Sequence, residues 1–215
     1  VKSPMTKLPQ SGERPCSYQM RKEQQTELVV LTGGPGAGKT AVLELLRKVL
    51  CEHVAMLPEA ANIIFDGGFW QLDSLSARMA AQKAIYHVQD EMQHLVLKEK
   101  KWTMGLCDRG TLDGFAYWPG SEKEFLASLN TTRQKEFRKY KAVIHLRIPQ
   151  IDLTAEESCL EARIFEIWKG HPNYCLIEPT ENFIDKANEA IRKIESFTPS
   201  CCREQFEQIS GHALQ

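Results

Sequence analysis

The run Gly33-Gly34-Pro35-Gly36-Ala37-Gly38-Lys39-Thr40 constrains this fold more than any other stretch of the chain. It follows Leu28-Val29-Val30-Leu31-Thr32 directly, a short apolar and branched segment that predicts a buried strand. The run itself fits G-x-x-x-x-G-K-[ST] without a gap. Glycines at 33, 36 and 38 let the backbone curl so that its N–H groups converge on a polyphosphate. Val42, Leu43, Leu45, Leu46, Val49 and Leu50 then recur at helical spacing, so a helix begins where the phosphates would sit. A Gly-rich turn that merely ends in Lys-Thr would not come with strand and helix in this order. Gly33 through Thr40, together with Ala41 at the helix start, form the expected nucleotide-binding segment. Within it Lys39 supplies charge to the terminal phosphates and the Thr40 hydroxyl is placed to hold Mg²⁺.

Composition narrows the class. A chain of 215 residues with 42% hydrophobic and 26% charged residues suits one globular domain with tails. The formal net charge of -1 gives no general pull toward nucleic acid, so a nucleic-acid partner is not expected. Seven cysteines form no C-x-x-C pair, which indicates neither a disulfide framework nor a zinc site. Cys51, Cys107, Cys159 and Cys175 read as reduced core thiols; Cys201 and Cys202, adjacent in a polar tail, are too few and too close for a metal cage. Without a membrane-length apolar run or a signal-like segment, a cytoplasmic protein is expected.

Residues 1–26, rich in Lys, Gln, Ser and Pro, read as a flexible leader, 27–197 as the folded domain and 198–215 as a tail. Further strands are expected at 53–57, 102–107, 142–148 and 174–177. Helices are expected at 72–98, capped by Asp73 or Ser74, at 121–139, at 154–169 behind a Thr154/Glu157 capping box, and from Phe183 to Phe197. On the 72–98 helix Leu75, Met79, Val88, Met92, Leu95 and Val96 are expected to share the buried side, and His87 and His94 read as packing or surface residues. About five strands alternating with helices predict a three-layer α/β fold, a parallel sheet covered on both faces.

In such a sheet ligands gather at the carboxyl ends of strands. Glu59, Asp108 and Arg109 all fall there. Asp108, closing an apolar strand, is the natural anchor for Mg²⁺ beside Thr40. Hydrolytic motors carry a second carboxylate after that residue to activate water, and this chain has Arg109. The guanine-reading N-K-x-D is also missing, which argues against a G-protein switch. Glu59 is a general-base candidate or a surface carboxylate at a strand end. Arg109 is a phosphate contact or an ion-pair partner of Asp108. Asp113, Tyr117 and Trp118 are candidates for shaping an acceptor pocket.

GGPGAGKT, Pro58-Glu59-Ala60-Ala61, Asp108-Arg109-Gly110, the LDGxAYW run at 112–118 and the WxxHP run at 168–172 together resemble a known family. This is the P-loop kinase-like AAA-type domain family, which includes the ribosylnicotinamide kinase domain of nicotinamide-nucleotide regulators and the nucleotide-binding domain of the TRPL-translocation-defect protein. The resemblance spans residues 27–197. It implies ATP, with GTP as the alternative, and Mg²⁺. It also implies an acid at Glu59 that takes the acceptor proton, and an arginine from a lid after the fourth strand, for which Arg163 on the 154–169 helix is the candidate. Lys39, Glu59, Arg109 and Arg163 are thus the expected catalytic set. The expected activity is transfer of the γ-phosphate to a small nucleoside- or nucleotide-like acceptor. The alternatives are a nucleotide-dependent binding or regulatory protein, with phosphoinositide contact among its possible roles, and a slow NTPase.

Overall fold

A computed structural model of the chain describes residues 25–149 and 153–202. The expected leader up to residue 24 and the tail beyond residue 202 lie outside the described residues. Five strands, β1 (Glu27–Thr32), β2 (Val54–Leu57), β3 (Met104–Asp108), β4 (Tyr140–Leu146) and β5 (Tyr174–Ile177), form one sheet in the order β2-β3-β1-β4-β5. All neighbouring pairs are parallel. Each connection therefore crosses over through helix, which covers both faces. The helices are α1 (Lys39–Val49), α2 (Ala60–Asp66), α3 (Leu75–Glu99), α4 (Glu122–Ser128), α5 (Arg133–Phe137), α6 (Ala155–Trp168) and α7 (Phe183–Glu195). The three-layer α/β fold expected from the sequence is the fold observed.

Alternation along β1 sorts the core into two halves. Val29 and Leu31 point toward α1 and α7, joining Val42, Leu46, Ile144, Ala190 and Ile194. Leu28 and Val30 point the other way, joining Tyr86, Trp118, Phe125, Ile164 and Trp168. Beside Leu28 and Val29 the β4 register slips by one residue, since Leu28 lies opposite Tyr140 and Val29 opposite Ala142. That bulge at Lys141 turns Tyr140 onto the second face, away from the parity that Ala142 and Ile144 follow.

Three expectations on helices are revised. The 121–139 segment is two helices, because Ser121 and Thr132 each cap a new start and Asn130 adopts φ 51 between them. Ala60 to Asp66, where the sequence led to no expected element, is helix α2. On α3 the buried stripe is Ala81, Gln82, Tyr86, Gln89, Gln93 and Val96, while Leu75 and Leu95 stand 67% and 52% exposed. Spacing of 3 and 4 was right, but the stripe carrying it is largely polar. Of its glutamines, Gln93 meets a polar group on the facing strand: Tyr140 Oη donates to Gln93 Oε1 at 3.1 Å. The two histidines of α3 lie at the surface.

Candidate functional site

The loop after β1 is shaped by close approach. A Cβ at Gly33, whose φ is 143, would fall 2.3 Å from the Leu146 carbonyl oxygen. Gly38 caps α1 at φ 93 with no side chain on the first-turn N–H groups, so the positive end of the helix stays open toward the loop. Lys39, buried at the start of α1, donates to Gly33 O at 2.9 Å and Gly34 O at 3.2 Å. Burial first, and then the charge of Arg109, pull its pKa down to about 8. A polyphosphate would restore the charge and draw the ammonium off the two carbonyls. Thr40, next on the helix, is exposed.

Two buried side chains brace the loop from outside. Glu161 on α6 accepts from Gly34 N–H at 2.9 Å, and its other oxygen meets His145 Nε2 at 2.9 Å. His145, fully buried in β4, reaches Tyr174 Oη through Nδ1 at 2.6 Å. Burial alone would raise the Glu161 carboxyl; the hydrogen bond and charge of His145 and the Gly34 N–H outweigh it and lower the pKa. On the other side Lys186 of α7 donates to Ala37 O at 2.9 Å and Arg147 O at 2.5 Å. None of these braces was foreseen. A signal existed for Glu161, since it shares the helical stripe of Ile164 and Trp168, and an acid on an apolar stripe marks a buried partner.

Asp108 ends β3 beside this loop. Its Oδ1 is buried with no hydrogen-bond partner among the described residues. Burial first, then the neighbouring Glu59 charge, push its carboxyl up to about 6 against the opposing pull of Lys39 and Arg109. An orphaned carboxylate oxygen at a strand end next to a phosphate-type loop fits a hard divalent cation such as Mg²⁺. Asp108 and Thr40 are the residues that would hold it.

Arg109 takes a left-handed backbone at φ 70, a conformation that strains any residue with a Cβ. Its Nε donates to Glu59 Oε1 at 2.6 Å and Nη1 to Gly33 O at 3.3 Å, and the guanidinium lies 5.8 Å from the Tyr117 ring centre. The ion pair weighed from sequence with Asp108 is therefore formed with Glu59, across the mouth of a pocket. That pocket, about 180 Å³, is walled by Glu59, Phe65, Gln82, Tyr86, Gln89 and Arg109 among others. Gln89 is 2% exposed and its Nε2 has no partner among the described residues.

Asp113 does not present its carboxylate to that pocket as a free group. Oδ1 accepts from Thr32 Oγ1 at 2.8 Å and Trp168 Nε1 at 2.6 Å, and Oδ2 from Gly110 N–H at 3.1 Å. It latches β1, the loop after β3 and α6 together. Trp118 is buried against Phe125, whereas Tyr117 lines the pocket. Arg163 stands apart from the loop: Nη2 donates to Gly120 O at 3.1 Å and the guanidinium covers Phe115 at 4.3 Å. It faces an outer cleft of about 490 Å³ that shares Phe65, Gln82 and Tyr117 with the inner pocket. So Lys39, Asp108, Arg109 and Glu59 gather around the loop, and Arg163 lies one cleft away.

A family model described as an AAA domain matches residues 28–182. Among solved structures, thymidylate kinase from Ehrlichia chaffeensis superposes with a TM-score of 0.55 at 18% identity, over 81% of this chain and 100% of that one. Thymidylate kinase from Candida albicans does so with a TM-score of 0.51 at 12% identity, over 80% and 92%. No curated protein matches the sequence. At these identities the likeness to the two kinases is one of fold. The family match spans most of the chain and includes the phosphate loop, Glu59, Asp108, Arg109 and Arg163. On that match the chain belongs to the AAA domain family.

Proposed function

We propose that this chain is an ATP-dependent phosphotransferase acting on a small nucleoside- or nucleotide-like acceptor, with GTP as an alternative donor. One observation carries the reading: Arg109 bonds both the phosphate loop, at Gly33, and Glu59, at the wall of the inner pocket. A group between loop and pocket would thus touch a cation that also orients a carboxylate. Mg²⁺, when bound by Asp108 and Thr40, would neutralise charge on the donor phosphates. Lys39 leaves its two carbonyls for the terminal phosphates. Glu59 uses Oε1 for Arg109, and its second oxygen serves to take the acceptor hydroxyl proton. Arg109 steadies the equatorial oxygens of the moving group. The inner pocket suits a ring with both apolar faces and an amide-like edge. Phe65 and Tyr86 supply aromatic surface, and Gln82 and Gln89 supply amides that both donate and accept. The outer cleft, with Arg78 and Arg163, suits a polar or anionic substituent.

A specific observation favours the rival reading, a nucleotide-dependent binding protein: Glu59 is already ion-paired, as a structural carboxylate would be. Radiolabelled ATP or GTP, offered with nucleosides, nucleoside monophosphates and phosphoinositides, separates the two. Label should move to a nucleoside-type acceptor, and Glu59→Gln should cut that transfer by about 10²–10⁴ with ATP affinity near normal. Absence of transfer to every acceptor, with ATP bound tightly, gives the rival reading.

A further inference from the structure

The end of the sheet opposite the phosphate loop holds a second group of reactive side chains. Cys51 lies between α1 and β2, His53 immediately precedes β2, and Cys201 and Cys202 lie in a helical stretch that begins at Ser200, after α7. The thiol sulfurs of Cys51, Cys201 and Cys202 all fall within 4.8 Å of one another. Cys51 Sγ is 3.2 Å from Cys202 Sγ and 3.6 Å from Cys201 Sγ. His53 Nδ1 lies 3.4 Å from Cys51 Sγ and 3.9 Å from Cys201 Sγ. We propose that these four residues bind a structural Zn²⁺ ion, with three thiolates and one imidazole as ligands.

The three sulfurs form the cluster, and His53 stands at its edge beside Cys51 and Cys201. With Zn–S bonds of ~2.3 Å and Zn–N of ~2.0 Å, neighbouring ligand atoms stand ~3.5–3.8 Å apart, and the four contacts among these side chains bracket that spacing, from 3.2 to 3.9 Å. Side-chain rotation at the partly exposed His53 and Cys201 closes the shell. The donor set excludes the hard cation expected at the phosphate loop, because thiolates and imidazole select zinc over magnesium. A disulfide uses two of the sulfurs and has no need of the third or of the imidazole. The surroundings also favour thiolate. Cys51 N–H donates to Cys202 Sγ at 3.5 Å. Zinc binding would release the thiol protons to solvent and leave a singly anionic complex with neutral His53, so affinity falls as pH falls.

The sequence concealed this site because only Cys201 and Cys202 are adjacent; Cys51 joins them across a separation of 151 residues. Its structural role follows from what it ties. It fixes the end of the α7 segment to the start of β2, and α7 carries Lys186 to the phosphate loop.

The test uses the full chain, purified reduced and without chelator. Elemental analysis should find one zinc per chain. Replacement by Co²⁺ should give thiolate-to-metal charge transfer in the near ultraviolet and the intense visible bands of a tetrahedral ion. Stripping zinc with a chelator should lower Tm, and restoring zinc should recover it. Cys159→Ser, at an exposed cysteine outside the cluster, should keep the metal. His53→Ala should weaken zinc binding by about tenfold or more, no less than loss of an outer-shell partner costs. Cys51→Ser should lose it, and the wild-type cobalt spectrum decides even if that variant fails to fold. A reduced, folded protein that takes up no zinc or cobalt overturns the proposal. So does an octahedral cobalt spectrum, a Cys51–Cys202 disulfide in the reduced preparation, or an unchanged spectrum in a variant lacking both Cys201 and Cys202.

Discussion

The two faces of the sheet are built from different materials. The face under α1 and α7 is aliphatic, with Val29, Leu31, Val42, Leu46, Ile144 and Ile194 in contact, and Lys186 is its buried charged brace on the phosphate loop. The face under α3 and α6 buries a polar network. Glu136, 1% exposed, accepts from Tyr86 Oη at 2.9 Å, Thr111 Oγ1 at 2.6 Å, Thr131 Oγ1 at 2.6 Å and Lys139 Nζ at 2.7 Å. Tyr140 extends that network to Thr111 and Gln93. Apolar packing tolerates exchange of one hydrocarbon for another, whereas a buried network fixes each partner and leaves a defined polar wall. On the proposed function, the difference would give the generic task, holding a triphosphate, to the first face and the selective one, choosing an acceptor, to the second.

The largest expected effect breaks the polar side. Glu136→Ala leaves three hydroxyls and an ammonium without their common acceptor and should cost about 3–5 kcal/mol of stability in urea unfolding. Glu136→Gln, which keeps the shape, should cost less. If Glu136→Ala unfolds like the wild type, the network is decoration and the contrast between the faces fails.

Next comes the loop side. Lys39→Ala should weaken Mg-ATP binding by about 1.5–3 kcal/mol in calorimetry with the fold intact. The pH profile sharpens this. Lys39 binds phosphate in its protonated form, and its free-state pKa is about 8, so affinity should fall as pH rises through that value. Asp108 must be ionised to hold Mg²⁺ and titrates at about 6, so affinity should also fall as pH drops below that value. Lys39→Ala should erase the alkaline limb and keep the acid one. For the empty fold the signs reverse. The lowered Lys39 costs stability below about 8, relieved as pH rises toward the ordinary lysine value, and the raised Asp108 costs stability above about 6.

The smallest effect is the most selective. Gln89→Leu should change stability by less than about 1 kcal/mol, since its amide nitrogen is already unpartnered. ATP affinity should stay, while a hydrogen-bonding acceptor should lose about 1 kcal/mol, read as a raised KM for that acceptor alone. Equal losses for ATP and acceptor would merge the two faces into one site.

The aliphatic face was largely legible in the sequence, because strand–loop–helix order and branched apolar runs determine it locally. β1, α1, β5 and α7 appear where the pattern put them. The polar face was not. Hydrophobic spacing on α3 singled out Leu75 and Leu95, which ended exposed, because a buried glutamine such as Gln93 is recognisable only once Tyr140 faces it. The gathering of Glu59, Asp108 and Arg109 at strand ends followed from topology, but the pairing of Arg109 with Glu59 needed the φ of 70 that swings the side chain back over the loop. Asp113 does line the inner pocket, but that its carboxylate is already held could not be read from sequence, because its donors come from segments as distant as Thr32 and Trp168.

That left-handed arginine has an evolutionary reading. Position 109 is, by its backbone, a glycine position occupied by a cation. In a library screened only for heat tolerance, glycine should accumulate there, since it relieves the twist. In one screened for turnover, arginine should persist. The frequency gap between the two selections would measure how strongly the chemistry outweighs conformational comfort at a single residue.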